Sequence, residues 1–141
     1  MKRKASALWQ GGLKDGKGVV STGSGTLKDT PYNFNMRFGE DKGTNPEELV
    51  AAAHAGCFAM AFSAILGESG ITPASIGANA TVTLVQVDGG FAVTGSHLDV
   101  VVKAPGADKS KVEAAGNAAK AGCPISKLLN CTVTMELTVE V

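Results

Sequence analysis

Aromatic residues are scarce in this chain, with one Trp, one Tyr and five Phe in 141 residues. A core must therefore be built from Ala, Val, Leu and Ile, and 18 glycines point to tight turns between its elements. Cysteine is scarce as well. Three are too few for a disulfide scaffold, and Cys57, Cys123 and Cys131 match neither a CxxC pair nor a zinc-finger spacing. Neither sign of charge is in excess, with 13 basic and 13 acidic residues. That balance removes any electrostatic ground for a nucleic-acid or anionic-membrane partner. There is no low-complexity tail, no clear repeat and no linker long enough to separate two domains, so residues 1–141 read as one domain. The opening MKRKASALWQGG is basic but lacks the apolar stretch of a signal peptide, which makes the cytoplasm the expected compartment. A disulfide there is more often catalytic or redox-sensing than structural.

The first third reads as β structure: KASALWQG, a turn signal in GGLKDGKG, then VVSTGSGTL. TPYNFNMRF alternates, which predicts an extended segment with Tyr32, Phe34, Met36 and Phe38 on one face and Asn33, Asn35 and Arg37 on the other. GTNPEEL is a helix start, with Asn45 as cap, Pro46 in the first helical position and two glutamates where the helix dipole favours them. The helix should run to about Gly67. Leu49 to Leu66 carries no charge, which raises the question of a membrane span. The run is alanine-rich, only weakly apolar and free of flanking positive clusters, so a buried helix of a soluble domain is the reading preferred. Being apolar nearly all round, it should be buried nearly all round. A domain of this size struggles to surround such a helix alone, which favours a partner subunit packed against Ala51, Ala52, Ala53, Ala55, Gly56 and Ala59.

ANATVTLVQV and FAVTGSHLDVVVKA flank DGG as a β-hairpin. GADKSKVEAAGNAAKAG is a second helix, capped at Asp108 or Ser110. Pro124 starts a short helix, PISKLL, with Cys123 at its cap, and CTVTMELTVEV closes the chain as an alternating strand. This order indicates an α+β fold, antiparallel sheets around a long buried central helix, rather than a parallel βαβ sheet.

The residues that could carry chemistry are few. Cys57 stands among small apolar neighbours in AAHAGCFAMAF, which should raise its pKa and make it inert core filler. It lies too far along its helix for the dipole to ionise it, so activation would need a cation, and Arg37 is the best-placed candidate. Cys123 in GCP precedes a helix N-terminus, where N–H groups favour a thiolate, but a cysteine merely filling a turn fits equally. Cys131 opens an apolar strand and reads as structural. His54, three residues before Cys57, suggests a Cys–His nucleophile or a metal pair, yet the only other histidine is His97 on a distant strand. A hydrogen-bonded core or interface histidine fits better. Glu47 and Glu48 read as helix-start acids, and Glu47 cannot touch Cys57 along its own helix.

RFGEDKGTNPEELVAAAHAGCF, followed well downstream by GCPISKLL, resembles the OsmC/Ohr family of osmotically inducible and organic hydroperoxide resistance proteins. The likeness covers nearly the whole chain, including GKGVVSTGSG, PYNFN, LGESGITPASI and VDGGF. It is nearer the OsmC branch, because the arginine stands in MRF shortly before NPEEL. The resemblance implies an intertwined homodimer with two buried central helices and active sites at the interface. It also implies a thiol peroxidase that reduces organic hydroperoxides, and hydrogen peroxide more weakly, in stress defence. By position, Cys57 matches the peroxidatic cysteine, Cys123 the resolving one and Arg37 the activating arginine. Glu47 matches the acid that positions Arg37, expected to do so across the interface. Cys131 has no counterpart in the family pattern.

The implied cycle is a Cys57 sulfenate, a Cys57–Cys123 disulfide and reduction by an external dithiol, for which similarity suggests the lipoyl type, with no cofactor and no metal. Phe58, Met60 and Phe62 are candidates to receive an alkyl tail. Two other classes fit the same residues: a Cys–His hydrolase using Cys57 and His54, and a non-enzymatic redox sensor or small apolar-ligand binder that uses the cysteine pair as a switch.

Overall fold

The computed structural model describes all 141 residues. The chain divides into two compact units, Met1–Leu49 and Val50–Val141.

The first unit holds a three-stranded antiparallel sheet in the order β1-β2-β3: β1 Ala5–Gln10, β2 Lys17–Thr22 and β3 Thr30–Tyr32. Gly18, in the middle of this sheet, is paired with Trp9 on one side and Tyr32 on the other. The two rings meet over it with centroids 5.4 Å apart, and a Cβ on Gly18 would lie 2.5 Å from the Tyr32 ring. This glycine is in a strand because two aromatic side chains cover its place.

The chain then departs from the expected extended segment. β3 stops at Tyr32, and Phe34–Phe38 form a short helix, α1. Asn33 caps it, its Oδ1 accepting the Met36 N–H at 2.9 Å. Phe34 and Phe38, four residues apart, pair their rings at 4.9 Å. Over five residues an alternation of period two also fits a turn of helix, and the Asn33 cap decides between them. The long helix α2, Pro46–Glu68, follows, its cap and first turn in the first unit and its remainder in the second.

In the second unit β4 (Ser75–Val87) and β5 (Gly90–Lys103) form the expected hairpin, with Asp88 and Gly89 at the turn. Two helices follow, α3 (Lys109–Gly122) and α4 (Pro124–Leu128), then β6 (Thr132–Glu140). β6 lies beside β5 in parallel, so this sheet is mixed rather than antiparallel. The pair α3 and α4 is long enough to act as the crossover that parallel neighbours require, which makes β5 to β6 a βαβ unit after all. Of the two expected caps for α3, Asp108 is the one used, accepting the N–H groups of Ser110 and Lys111.

The core lies between one face of this sheet and the helices. β5 supplies Ser96, Leu98, Val100 and Val102, α3 supplies Val112, Ala115, Gly116 and Ala119, and α2 supplies Phe58, Phe62 and Leu66. Gly116 lets α3 approach closely: a Cβ there would come 2.6 Å from Leu137 Cδ2 and 3.2 Å from Phe62 Cζ.

α2 is long and apolar enough to cross a membrane by length and composition. It is not buried all round within the chain. Only His54, Phe58, Phe62 and Leu66 are buried, one stripe at four-residue spacing. The opposite face, including Ala52, Ala53, Gly56, Met60, Ser63 and Ala64, is exposed, and a Cβ on Gly56 would meet nothing within 4 Å. One layer of strands and one crossover helix cover one side of a helix and no more. Phe62→Ala should cost about 3–5 kcal/mol in urea unfolding, whereas Thr81→Ala on the exposed face of β4 should stay within about 0.5 kcal/mol.

Candidate functional site

In the first unit, Arg37 and Glu47 form an ion pair with two-point geometry. Arg37 Nη2 is 2.7 Å from Glu47 Oε1, and Nε is 3.1 Å from Oε2. Asn45 is what brings them together. Its Oδ1 accepts the Glu48 N–H at 2.8 Å, opening α2, while its Nδ2 donates to the Met36 carbonyl at 3.0 Å, on α1. The residue after the cap-bound proline is then opposite the last turn of α1. The Glu47 hydrogen bond raises the Arg37 pKa further above its ordinary range. The pair closes within one chain, so no second subunit is needed to bring these residues together. The Arg37 guanidinium lies 5.0 Å from the Phe38 ring centre and lines a hollow of about 220 Å³ with Trp9, Leu13, Tyr32, Phe34 and Phe38. Sequence reasoning did not find this hollow, because Trp9 in β1 and Leu13 in the following turn are far upstream of Arg37.

In the second unit, Cys57 on α2 and Cys123 at the cap of α4 are neighbours at the edge of the core, close enough for each thiol to affect the other's ionisation, although β4, β5 and α3 lie between them in the chain. Both are free thiols. Cys123 is fully buried and Cys57 is partly exposed. Burial pushes the Cys57 thiol up, as its apolar surroundings predict, and the contact with Cys123 pushes the same way against the Ile125 N–H. Burial also pushes the Cys123 thiol up, but the Ser126 N–H, the Cys57 and Ser126 side chains and the Ile125 N–H outweigh it, and its net shift is down. Acidity favours Cys123 as the thiolate, whereas access favours Cys57 as the sulfur that a solute can reach.

His54, also on α2, is fully buried. Its Nδ1 is 2.7 Å from Ser96 Oγ on β5, and its Nε2 is 2.8 Å from Ser126 Oγ on α4. Both nitrogens are engaged by hydroxyls, leaving none to activate Cys57, which removes the support for a Cys–His nucleophile. Burial lowers the His54 pKa, so the ring is neutral. Ser126 could have been suspected from its place three residues after Cys123. Ser96 carried no such signal.

The remaining candidates stand apart from the cysteines or from the solvent. Phe58 and Phe62 are fully buried in the core, ring centres 5.7 Å apart, and Met60 is 77% exposed on the far side of α2. The two phenylalanines therefore do not line an open site. Cys131 is a partly buried free thiol just before β6. His97 is on the outward face of β5, 2.6 Å from Thr134 Oγ1 and 3.3 Å from Asp99 Oδ1, with Glu136 nearby.

A family model described as OsmC-like protein matches residues 39–138. The chain belongs to the OsmC-like family. It is 52% identical over 134 residues to the peroxiredoxin OsmC of Escherichia coli strain K12, covering 95% of this chain and 94% of that one. An organic hydroperoxide resistance protein of Xanthomonas axonopodis pv. citri is 29% identical over 129 residues, covering 90% and 87%. Among solved structures, the organic hydroperoxide resistance protein OhrB of Bacillus subtilis superposes with a TM-score of 0.71 at 30% identity, covering 97% and 98%. The α+β architecture around a long helix is thus that of OsmC-like proteins, with the β5–β6 pairing parallel.

The buried, neutral His54 has a consequence for acid stability. The unfolded chain binds a proton at this residue near pH 6.5, and the folded chain does so only at lower pH. Stability should therefore fall as the pH drops below about 6.5, by at most about 1.4 kcal/mol per pH unit. His54→Gln should flatten that segment of the stability–pH curve between pH 7 and 5. Equal slopes in the two proteins would show that His54 is not held neutral.

Proposed function

We propose that the protein is a cysteine-based hydroperoxide reductase. The observation that carries this reading is the Cys57–Cys123 contact, which joins an accessible thiol to a buried one inside an OsmC-like fold. The names of the similar proteins, a peroxiredoxin and two organic hydroperoxide resistance proteins, support it.

In the proposed cycle the Cys57 thiolate attacks one peroxide oxygen. The O–O bond breaks, the alkoxide leaves and takes a proton as alcohol, and Cys57 becomes a sulfenic acid. The Cys123 sulfur then attacks the Cys57 sulfur. The hydroxyl departs as water with the proton given up by Cys123, and a disulfide forms. An external dithiol, for which lipoyl-type compounds are the first to try, reduces that disulfide and is itself oxidised. No step requires a metal or prosthetic group.

Two features of the chain enter this cycle in defined roles. Burial and the neighbouring thiol both oppose ionisation of Cys57, so its thiolate needs a cation. The reading gives that role to Arg37, held in one orientation by its two-point pair with Glu47. The aromatic hollow beside Arg37 suits an alkyl or aryl tail, which favours organic peroxides over hydrogen peroxide. The exposed apolar face of α2 supports a homodimer as the working form, because a run of small uncharged side chains on a helix of this length gains by being covered.

With cumene hydroperoxide and dihydrolipoate, wild-type protein should turn over many times. Cys57→Ser should lose all activity, Cys123→Ser should lose recycling through the intramolecular disulfide, and Arg37→Met should lower the peroxide rate at least tenfold with less than about 1 kcal/mol lost in stability. Single-equivalent behaviour in wild type would leave a redox sensor instead. Sedimentation velocity at micromolar concentration should give a species of twice the 14.3 kDa chain mass, shifted toward the monomer by Met60→Asp. A wild-type monomer would rule out the dimer.

A further inference from the structure

Helix α2 carries Cys57 and helix α4 is capped by Cys123, and each cysteine has a second polar residue three positions away. On α2, His54 precedes Cys57 by three residues. On α4, Ser126 follows Cys123 by three. Residues at this spacing share a helix face. The two pairs meet across the same helix–helix contact: Cys57 against Cys123, and His54 Nε2 against Ser126 Oγ at 2.8 Å. The sulfurs are thus flanked by a hydrogen bond that joins the same two helices.

We propose that the His54–Ser126 hydrogen bond is a positioning clasp for disulfide formation between Cys57 and Cys123. It rests on the reading of these cysteines as a redox pair, and it assigns to His54 and Ser126 a part that neither the peroxide step nor the reductant step uses. Helix α4 is only five residues long, too short to hold its own shape. What seats it on α2 is therefore its contacts. Ile125 supplies apolar ones, and Ser126 supplies the directional one.

The clasp is directional. A neutral imidazole has one N–H and one bare nitrogen, so His54 donates to one of the Ser96 and Ser126 hydroxyls and accepts from the other, and both bonds are short. The proton balance of the disulfide step is unchanged by it. The thiol proton of Cys123 leaves in the water formed from the Cys57 hydroxyl, and the clasp only holds the reacting sulfur in place.

The test uses glutathione rather than peroxide, so it does not depend on peroxidase activity. In defined mixtures of reduced and oxidised glutathione, mass spectrometry gives the ratio of the Cys57–Cys123 disulfide to the Cys57–glutathione mixed disulfide. That ratio measures the effective concentration of Cys123 at Cys57, and changes in the reactivity of Cys57 itself largely cancel from it. Ser126→Ala should lower the ratio at least tenfold, and His54→Gln should lower it as well. Ser126→Thr, which keeps the hydroxyl, should restore it to within threefold of wild type. Should His54→Gln fail to fold, Ser126→Ala and Ser126→Thr alone decide. A ratio in Ser126→Ala within twofold of wild type would overturn the clasp, and so would equal losses in the Ala and Thr variants, which would mark Ser126 as a packing residue. If wild type consumes no peroxide but Ser126→Ala still lowers the ratio, the clasp stands and the peroxidase reading falls.

Discussion

The seating of α4 on α2 is the contact on which the proposed cysteine chemistry depends. It brings together two thiols, a buried histidine and a serine hydroxyl from segments at opposite ends of the second unit's sequence. Each polar member is satisfied by another. His54 is fully buried with a hydroxyl on each ring nitrogen. Leaving one such nitrogen unpaired would cost about 1–3 kcal/mol, so the arrangement is selective as well as stabilising. Wrong seatings of a five-residue helix would leave a buried polar atom without a partner.

The long helix serves two environments at once. One stripe, from His54 to Leu66, belongs to the core under the mixed sheet. The other face presents alanine, glycine and serine with nothing over it. Cys57 is at the border, partly exposed, which is where a thiol must be to meet a solute while its surroundings stay dry. The same dryness works against its ionisation. In the cycle proposed above, a peroxide-reactive Cys57 thiolate therefore has to draw on a cation beyond its immediate neighbours, the role proposed for Arg37. The Arg37–Glu47 pair is a guanidinium already oriented and stripped of rotational freedom, which lowers the entropic cost of using it.

Much of this was legible in the chain. Asn45, Pro46 and the two glutamates marked the start of α2 because capping chemistry is local. The hairpin around Asp88 and Gly89 and the Asp108 cap were legible for the same reason. The NPE…C and GCP motifs carried the family resemblance. What could not be read was whatever depends on partners distant in sequence. The alternation in PYNFNMRF suggested a strand, and the Asn33 side chain turned it into a helix. The order of elements suggested purely antiparallel pairing, but β6 has β5 as its neighbour, in parallel.

By itself, the sequence determined where helices begin, which strands pair locally and which few residues could carry redox chemistry, because caps, turns and periodicity act between near neighbours in the chain. Only the tertiary structure decided what those residues meet. It placed His54 between Ser96 and Ser126, with neither ring nitrogen left for Cys57, kept Phe58 and Phe62 in the core rather than in a substrate site, and closed Arg37 on Glu47 within one chain. The physical reason is that hydrogen bonds and packing are satisfied by whichever groups the fold brings within about 3–4 Å, and sequence distance does not enter that condition.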